Sequence, residues 1–381
     1  MKKTMRKIRV LEMIDKPFLG GGQRTVLLLA RNLDRRKFEV SVASAPAGPL
    51  VEELRKAGVR HHPLKLDKTL SLRILSDIRR VLEENSVEIL HTHGGVAGLY
   101  GRLAARKSRV KVVHTVHGLH YLHYRNPILR QAYIDLERRL GRLTDALVFV
   151  CRADREKGKG LRLAPESKMH VIRNGVDLGL LKPGAEAKKL RMELGLQTAR
   201  PLIGTVARLH RQKGLTYLIQ AAPQIRSSFP GAKIVIVGGG PLRRELEQEA
   251  VRRGVGDVLL FLGERPNVPD LLNLFDVFVL PSLWEGLPYV LVEAAYLRKP
   301  IVATAVDGNP EVIEDGKTGL LIPPADPSAL AATVILLVQD KTLAGRLAKA
   351  ARSAIPPRFG LKKMIGEIQQ LYQDLNSVTV N

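Results

Sequence analysis

Short runs of apolar, β-branched residues alternate with longer amphipathic segments along almost the whole chain, and this pattern constrains the fold more than any other feature. The runs lack the polar and apolar alternation of a strand that has one face in water. Strands that are apolar on both faces and are joined by helices form parallel sheets covered by helices on both sides. The predicted strands are Ile8–Ile14, Phe38–Ser44, Glu88–Thr92, Val110–Val116, Ala146–Cys151, His170–Arg173, Leu202–Ala207, Lys233–Val237, Val258–Leu262, Val277–Leu280, Ile301–Thr304 and Gly319–Ile322.

The predicted strands fall into two series, and each series predicts one doubly wound α/β domain. The seam between the series is the Lys-, Pro- and Ala-containing stretch Leu178–Glu193. We therefore predict an α/β protein with one domain at residues 1–183, a second at 184–359, and a C-terminal helix within 360–377. Other predicted helices include Arg24–Leu33, Leu70–Glu84, Leu215–Ser227, Pro241–Arg253 and Ser328–Val338.

Composition excludes several classes of protein. The chain has 381 residues, of which 45% are hydrophobic and 26% are charged, and this is typical of a globular protein rather than a disordered or fibrous one. The single cysteine, Cys151, excludes an intrachain disulfide and suits a reducing compartment. Glu12, Asp15 and Lys16 interrupt the apolar run that a signal peptide would need. No window approaches the ~18 apolar residues of a membrane span, so we expect a cytoplasmic protein, free or peripheral on the inner face of the cytoplasmic membrane.

Glycines cluster just after two of the predicted strands. Gly20-Gly21-Gly22-Gln23 leads into a helix, an arrangement that directs backbone N–H groups toward an anion such as a phosphate. It lacks the Gly-x-Gly-x-x-Gly spacing of dinucleotide-binding folds, so a tight turn explains it equally well. Gly238-Gly239-Gly240-Pro241 is a second such turn, in which Pro241 suits the first position of a helix. For this second turn we favour a tight strand-to-helix turn, or packing close to the ligand, over anion binding.

A basic loop follows the predicted strand Leu202–Ala207. Arg208 stands at the end of that strand, at the sheet edge where open α/β folds bind their ligands. A guanidinium can bind one phosphate through two hydrogen bonds, and Lys213 can neutralise a second phosphate as a point charge. A solvated basic loop explains the same spacing equally well.

Two carboxylates follow the predicted strand Val277–Leu280. Glu285 stands at the sheet edge beside Gly286 and Leu287, whose N–H groups are predicted to point into the same crevice. Glu293 lies about two helical turns further on. Ionised carboxylates accept hydrogen bonds strongly and could hold sugar hydroxyls. Because apolar residues flank Glu293, we favour a buried, partnered carboxylate over an exposed helical residue.

These motifs occur in a fixed order that resembles a known family. Arg208 to Gly214, then Val237 to Pro241, then Pro281 to Ala294 resemble the retaining glycosyltransferases of family 4, which have the GT-B fold. Gly20 to Gln23 matches a turn of the N-terminal domain in that family, and Arg173 to Asp177 matches its connection into the second domain. The resemblance covers nearly the whole chain and is strongest in its C-terminal half.

The resemblance implies two Rossmann-like domains that face a deep inter-domain cleft, with the C-terminal helix crossing back to the N-terminal domain. The N-terminal domain would bind the acceptor and the C-terminal domain the nucleotide-sugar donor. Arg208 and Lys213 would bind the donor diphosphate, and Glu293 would bind the ribose. The donor-binding residues that the resemblance implies are Gly21, Arg208, Lys213, Arg265, Gly286, Leu287 and Glu293.

The resemblance also implies two catalytic residues and one acceptor contact. His117, followed by Gly118, matches a histidine of the family that would lie near the anomeric carbon. Glu285 would hold hydroxyls of the transferred sugar. Gln23 is predicted to contact the acceptor.

Histidines are concentrated in one stretch of the chain. Six of the ten lie between His91 and His123, and several of them are spaced by three residues, which raises the question of a metal site because imidazole is a common zinc ligand. His114 lies on a predicted strand, whereas His117, His120 and His123 follow it around Gly118, so the spacing need not place them together. No Asp-x-Asp pair is present, and we predict neither a metal nor another cofactor.

We therefore predict a retaining, metal-independent glycosyltransferase that uses a nucleoside-diphosphate sugar, with UDP favoured, to build a cell-envelope glycan, polysaccharide or glycolipid. The resemblance implies a front-face displacement in which the departing phosphate oxygen accepts the proton of the acceptor. One alternative is a GT-B sugar-nucleotide epimerase, which would need acid and base groups on both sides of the sugar. Another is a basic nucleic-acid-binding protein, suggested by a pI of about 10.3, but no recognised module is present and we predict no nucleic-acid partner.

Positive charge is concentrated in the first half of the chain. Residues 1–180 carry a net charge of +18, against +6 for residues 181–381. Tyr100, Tyr121, Tyr124 and Tyr133 accompany this charge, and tyrosine favours the boundary between water and lipid. An anionic membrane surface and a lipid-linked acceptor fit these features, and so does an ordinary basic helix whose tyrosines pack inward.

Overall fold

The computed structural model describes residues 6–66, 69–182 and 187–377. It divides into two compact units, Met1–Gly175 with Lys362–Asn381 and Val176–Leu361. The predicted boundary between residues 183 and 184 lies outside the described residues.

The first unit contains a seven-stranded parallel sheet in the order β3-β2-β1-β4-β5-β6-β7. Its strands are β1 Ile8–Ile14, β2 Phe38–Ser44, β3 Arg60–Pro63, β4 Ile89–His93, β5 Lys111–Val116, β6 Ala146–Phe149 and β7 Met169–Val171. Its helices before the second unit are α1 Gly21–Asn32, α2 Pro49–Lys56, α3 Leu72–Glu84, α4 Gly95–Ala105, α5 Pro127–Gly141 and α6 Arg152–Gly160.

The second unit contains a six-stranded parallel sheet in the order β10-β9-β8-β11-β12-β13. Its strands are β8 Leu202–Val206, β9 Lys233–Val237, β10 Leu259–Gly263, β11 Val277–Leu280, β12 Ile301–Thr304 and β13 Leu320–Ile322. Its helices are α7 Ala187–Glu193, α8 Leu215–Ser228, α9 Arg243–Arg252, α10 Val268–Leu274, α11 Tyr289–Tyr296, α12 Asn309–Val312, α13 Pro327–Gln339, α14 Lys341–Ala354 and α15 Pro356–Phe359.

The predicted α/β architecture of two parallel, doubly wound sheets is confirmed. In each sheet the strand order reverses next to its first strand, between β1 and β4 and between β8 and β11. The loops on the two sides of such a reversal diverge and leave a crevice at the carboxyl ends of the strands. Ligand-binding residues are therefore expected in the loops that follow these strands.

One strand was not predicted, and several helices begin at other residues than predicted; α1, for example, begins at Gly21 rather than Arg24. The edge strand β3 was not predicted because its sequence, Arg-His-His-Pro, contains no apolar run. Helix α9 begins at Arg243 rather than Pro241, since the N–H of Leu242 bonds to the carbonyl of Leu209 and holds the turn outside the helix. Pro288 is the N-cap of α11.

A C-terminal helix, α16 Leu361–Ser377, packs on the first unit, which confirms that the chain returns to its N-terminal domain. It buries the ring of Tyr372 completely, 6.0 Å from the ring of Phe38 at the start of β2. The hydroxyl of Tyr372 donates a hydrogen bond of 2.7 Å to Glu12 in the middle of β1. The last helix is thus anchored by a polar contact inside the core.

Two of the four tyrosines in the basic region are buried. The hydroxyl of Tyr100 donates to the carbonyl of Thr69, and Tyr121 belongs to an apolar cluster beneath α5. Tyr133 is exposed and packs edge-on against Tyr124 with ring centroids 5.2 Å apart. For Tyr100 and Tyr121 the expectation of a membrane-facing side chain is wrong, because their rings fill the core.

Among the described residues, no single helix is both long and apolar enough to span a membrane. Taken together, α13 and α14 are long and apolar enough by length and composition alone, but the two helices are bent by 98° relative to each other.

Candidate active site

The loop after β8 carries the predicted phosphate-binding cations. Arg208 is exposed, and no described residue forms a hydrogen bond or an ion pair with its guanidinium. The loop then turns through His210, whose ring accepts a hydrogen bond from the N–H of Gln212. It ends at Gly214, which has a φ of +59° and packs so closely that a Cβ would lie 2.1 Å from the carbonyl oxygen of Pro281.

Lys213 and Glu285, predicted from separate motifs, lie together. Lys213 Nζ is 2.5 Å from Glu285 Oε1, and the hydroxyl of Ser282 donates to the same oxygen at 2.6 Å. Glu285 is almost fully buried and Lys213 is largely buried, so this ion pair is shielded from bulk water. The carboxylate is held by two donors on Oε1, while no described residue bonds to Oε2.

Backbone and side-chain contacts fix the loop that carries Glu285. The N–H of Glu285 donates to Asp307 Oδ2 at 2.7 Å, and the hydroxyl of Thr304 donates to the carbonyl of Ser282 at 2.6 Å. Gln212 joins this loop to the basic loop by donating to the carbonyl of Trp284 at 3.0 Å. Because β8 and β11 are neighbours, their two loops form one cross-braced unit at the carboxyl edge of the sheet.

The remaining predicted residues of the second unit differ in exposure. Gly286, Leu287 and Glu293 are buried, and Glu293 lies in the second turn of α11. A buried carboxylate on an otherwise apolar helix confirms that Glu293 is not a solvated surface residue. Arg265 follows β10 and is exposed.

Gly21 and Gln23 begin α1, directly after β1. The N-cap is Gly20, whose carbonyl accepts the first helical hydrogen bond, from the N–H of Arg24. The N–H groups of the first helical turn therefore have no partner within the helix and carry its positive dipole end. The side-chain amide of Gln23 donates to the carbonyl of Lys16 at 3.3 Å, so one of its polar atoms holds the preceding loop.

His117 lies against this helix N-terminus. A Cβ on Gly22 would lie 3.2 Å from His117 Cδ2, which places the imidazole beside the first turn of α1. His117 follows β5, and its Nε2 is 3.0 Å from Nδ1 of His93 at the end of β4. The structure therefore brings Gly21, Gln23 and His117 to one edge of the first sheet.

A buried polar cluster lies beneath His117. His93 Nε2 is 2.7 Å from Glu12 Oε2, and His91 Nδ1 is 2.5 Å from the hydroxyl of Tyr372 and 3.3 Å from Glu12 Oε2. The hydroxyl of Thr115 bonds to His91 Nε2 at 2.7 Å. These side chains share one face of the sheet because they stand at alternate positions or in register on β1, β4 and β5.

The electrostatics of this cluster follow from burial and from the single carboxylate. Burial alone would raise the pKa of Glu12, but His91 and His93 outweigh it and hold that pKa well below its usual range. Burial, with the charge of the neighbouring His91, lowers the pKa of His93 to about 4. Burial likewise lowers the pKa of His117. At neutral pH Glu12 is therefore ionised and His93 and His117 are neutral.

Within residues 6–66, 69–182 and 187–377, the one group of side chains close enough to hold a metal ion is Glu12, His91 and His93, whose ligand atoms lie within 4.8 Å of one another. Each of these atoms already bonds to a neighbouring side chain inside the core. The histidines spaced by three do not form such a group, since His114 bonds to Thr92 on the other face of the sheet.

Sequence reasoning missed the residues that support the site. Glu12 and His93 are the clearest cases, and their signal was present: a carboxylate and alternating histidines inside otherwise apolar strands. Ser282 and Tyr372 carry no such signal, since a serine in a loop and a tyrosine on an amphipathic helix are ordinary. Their roles appear only when distant segments come together.

Comparisons with known proteins identify the family of the chain. A family model described as Glycosyltransferase Family 4 matches residues 19–180, and one described as Glycosyl transferases group 1 matches residues 186–354. A UDP-Gal:alpha-D-GlcNAc-diphosphoundecaprenol alpha-1,3-galactosyltransferase from Escherichia coli is 31% identical over 98% of this chain and 99% of its own. A D-inositol 3-phosphate glycosyltransferase from Xylanimonas cellulosilytica is 32% identical over 94% of this chain and 93% of its own.

Among solved structures, Anabaena HepE in complex with UDP and glucose superposes with a TM-score of 0.86 at 22% identity, covering 96% of this chain and 100% of HepE. At that identity the likeness shows the fold, which is GT-B. Fold, family models and relatives together show that the chain belongs to glycosyltransferase family 4. The relatives are transferases, so they do not support the alternatives of an epimerase or a nucleic-acid-binding protein.

Gly214 provides a test of the packing that joins the two loops. Gly214→Ala should lower the free energy of unfolding by about 2 kcal/mol more than Gly316→Ala, because overpacking typically costs 1–3 kcal/mol. Gly316 is the matched control: its φ is +69°, but nothing lies within 4 Å of its Cβ position. Both variants place an alanine at a positive φ, but only the Cβ at position 214 would collide with a backbone carbonyl oxygen. Urea denaturation measures both, and equal losses would contradict the described contact.

Proposed function

We propose that the protein is a retaining, metal-independent glycosyltransferase that takes its sugar from a UDP-sugar. The observation that carries this proposal is the pair of cations, Arg208 and Lys213, on one braced loop at the carboxyl edge of the second sheet. Lys213 is paired there with Glu285, a carboxylate suited to sugar hydroxyls. The donor named for the E. coli relative and the UDP bound to HepE support the choice of nucleotide.

In this proposal Arg208 and Lys213 bind the diphosphate of the donor. The departing nucleoside diphosphate develops negative charge as the glycosidic bond breaks, and positioned cations stabilise that charge without needing a metal. Arg208 has no competing protein partner among the described residues, so its fork of donors is available to a phosphate. Lys213 is already oriented by Glu285, which reduces the side-chain entropy that it loses on binding.

Glu285 holds the transferred sugar rather than attacking it. Its Oε1 accepts from Ser282 and from Lys213, and both contacts make the carboxylate a weaker nucleophile. A bound hydroxyl can still donate to Oε2. This arrangement favours a front-face displacement, in which the leaving phosphate oxygen accepts the proton of the acceptor hydroxyl, over a covalent glycosyl-enzyme intermediate. Glu293 would bind the ribose, and Arg265 would lie near the base.

The first unit is proposed to bind the acceptor and to contribute His117 to the reaction. The N–H groups in the first turn of α1 have no partner within the helix and lie beside this histidine, which suits an anionic group of a substrate. The acceptor named for the E. coli relative is a diphosphoundecaprenol-linked sugar. We propose that a lipid-linked sugar is also the acceptor class here.

A surface at the start of α5 fits a lipid-linked acceptor. Ile128 is 80% exposed and Leu129 is 47% exposed, and Arg125, Arg130 and Tyr133 adjoin them. Apolar side chains flanked by basic ones are the composition that binds an anionic membrane surface. We call this group of five residues the α5 surface.

The cation assignment predicts a loss of turnover. Arg208→Ala and Lys213→Ala should each lower kcat for transfer from UDP-sugars by ~10²–10³ because each removes one contact that stabilises the leaving group. Arg211→Ala is the matched control, since Arg211 is an exposed cation of the same loop that is assigned no contact. Circular dichroism should show intact folds. Turnover near that of the unaltered protein in either Arg208→Ala or Lys213→Ala would refute the assignment.

The α5 surface predicts salt-sensitive membrane binding. The protein should sediment with phosphatidylglycerol vesicles at low salt and lose that binding as salt rises, since screening weakens the attraction. Ile128→Asp with Leu129→Asp should abolish sedimentation. Leu180→Asp is the control, because Leu180 is 75% exposed but lies elsewhere. Protein that stays in the supernatant at low salt, or equal losses in the two variants, would show that the α5 surface binds no membrane.

A further inference from the structure

A buried line of three side chains ends at His117. Glu12 Oε2 lies 2.7 Å from His93 Nε2, and His93 Nδ1 lies 3.0 Å from His117 Nε2. Glu12 and His93 are completely buried, whereas His117 reaches the surface in part. The planes of the two imidazole rings are inclined by 25°. A buried charge is therefore connected to the edge of the site through one imidazole.

The positions of the protons along this line follow from the carboxylate. An ionised carboxylate can only accept, so His93 Nε2 donates to Glu12. A neutral imidazole carries one N–H, so His93 Nδ1 must accept, and His117 Nε2 must donate to it. Burial lowers the pKa of His93 to about 4, which leaves no second proton on that ring at neutral pH.

The free edge of His117 is the one that bears Nδ1. Gly22 packs against the Cδ2 and Nε2 edge, and His93 bonds to the same edge. In the part of the chain that the structure describes, no group bonds to His117 Nδ1. The proton order above leaves this nitrogen with a lone pair.

We propose that Glu12 and His93 are positioning residues that hold His117 in its Nε2–H tautomer and so present Nδ1 as a hydrogen-bond acceptor for a substrate hydroxyl. The effect on turnover rests on the proposed role of His117 in transfer, whereas the tautomer does not. A hydroxyl of the sugar or of the acceptor can donate to such a nitrogen. In the opposite tautomer Nδ1 carries the proton, so it would donate a hydrogen bond to the oxygen of that hydroxyl instead of accepting one from it.

Tyr372 extends the line to the C-terminal helix. Its hydroxyl donates to Glu12 Oε1, so each carboxylate oxygen has a donor and the buried charge is balanced by hydrogen bonds. Burial raises the pKa of Tyr372, which keeps this hydroxyl protonated as a donor. The helix that returns to the first unit therefore helps to orient a histidine at the other end of the cluster.

Nitrogen-15 NMR of the full-length protein with labelled histidine tests the tautomer directly, near neutral pH and without substrate. His117→Ala identifies the resonances of His117. We expect the proton on Nε2 and none on Nδ1. A proton on Nδ1, or rapid exchange between the two nitrogens, would overturn the proposal, and this measurement needs no variant that has to fold with an altered core.

The substitution Glu12→Gln should reverse the direction of the hydrogen bonds that connect residue 12, His93 and His117. The amide can offer its oxygen to Tyr372 and its NH₂ group to His93, so His93 carries its proton on Nδ1 and His117 becomes the Nδ1–H tautomer. We expect this reversal in the spectrum and a fall in kcat of about 10- to 100-fold, which corresponds to one mismatched hydrogen bond. The donor KM should change little. A His117 spectrum that is unchanged in Glu12→Gln would contradict the proposal.

Thr115→Val is the matched control. Its hydroxyl lies in the same buried cluster and bonds to His91, and His91 forms no hydrogen bond with His117. This variant should lose thermal stability but keep the tautomer and kcat of the unaltered protein. Equal falls in kcat for Thr115→Val and Glu12→Gln would show general loosening of the core and would overturn the positioning role. If His117→Ala retains turnover, the proposed catalytic role of His117 fails, whereas the tautomer result stands.

Discussion

Parallel pairing is the constraint on which the rest of the structure depends. Because all described strands of each sheet run in one direction, every strand of a sheet delivers its following loop to the same edge. The reversal of strand order beside β1 and beside β8 then separates adjacent loops enough to admit a ligand. The residues assigned to donor and acceptor binding follow strands of these two sheets and stand in the next loop or in the first two turns of the next helix.

Charged side chains are arranged differently at the carboxyl edges of the two sheets. At the second sheet, Lys213 is oriented by a largely buried ion pair with Glu285, and Arg208, which no described residue pairs with, remains available to an anion. At the first sheet, the charged Glu12 lies deep in the core. It acts on the site only through hydrogen bonds that orient the neutral imidazoles of His93 and His117. The first arrangement is suited to binding a diphosphate, and the second is suited to fixing the direction of one hydrogen bond.

Much of the fold could be predicted from the sequence because local pattern and tertiary structure agree. The strands β1 and β2 begin and end at the predicted residues, since apolar residues predominate in both segments. The strand β3 could not be predicted, because pairing with β2 rather than its own composition makes Arg60–Pro63 extended.

The site was predictable only in part. Arg208, Lys213 and Glu285 belong to motifs of short range, but the contact between Lys213 and Glu285 spans 72 positions of the chain. The contact between Glu12 and Tyr372 spans 360 positions. No periodicity or local spacing carries such pairings, which exist only once the sheet and its covering helices have formed.

The central claim is that positioned cations, without a metal, stabilise a departing nucleoside diphosphate while the sugar keeps its configuration. The most direct test is proton NMR of the product formed in the presence of EDTA, with a donor and an acceptor that the protein turns over. The account predicts an unchanged rate and a new glycosidic bond with the anomeric configuration of the donor. A product of inverted configuration, or activity that EDTA abolishes and a divalent cation restores, would contradict it.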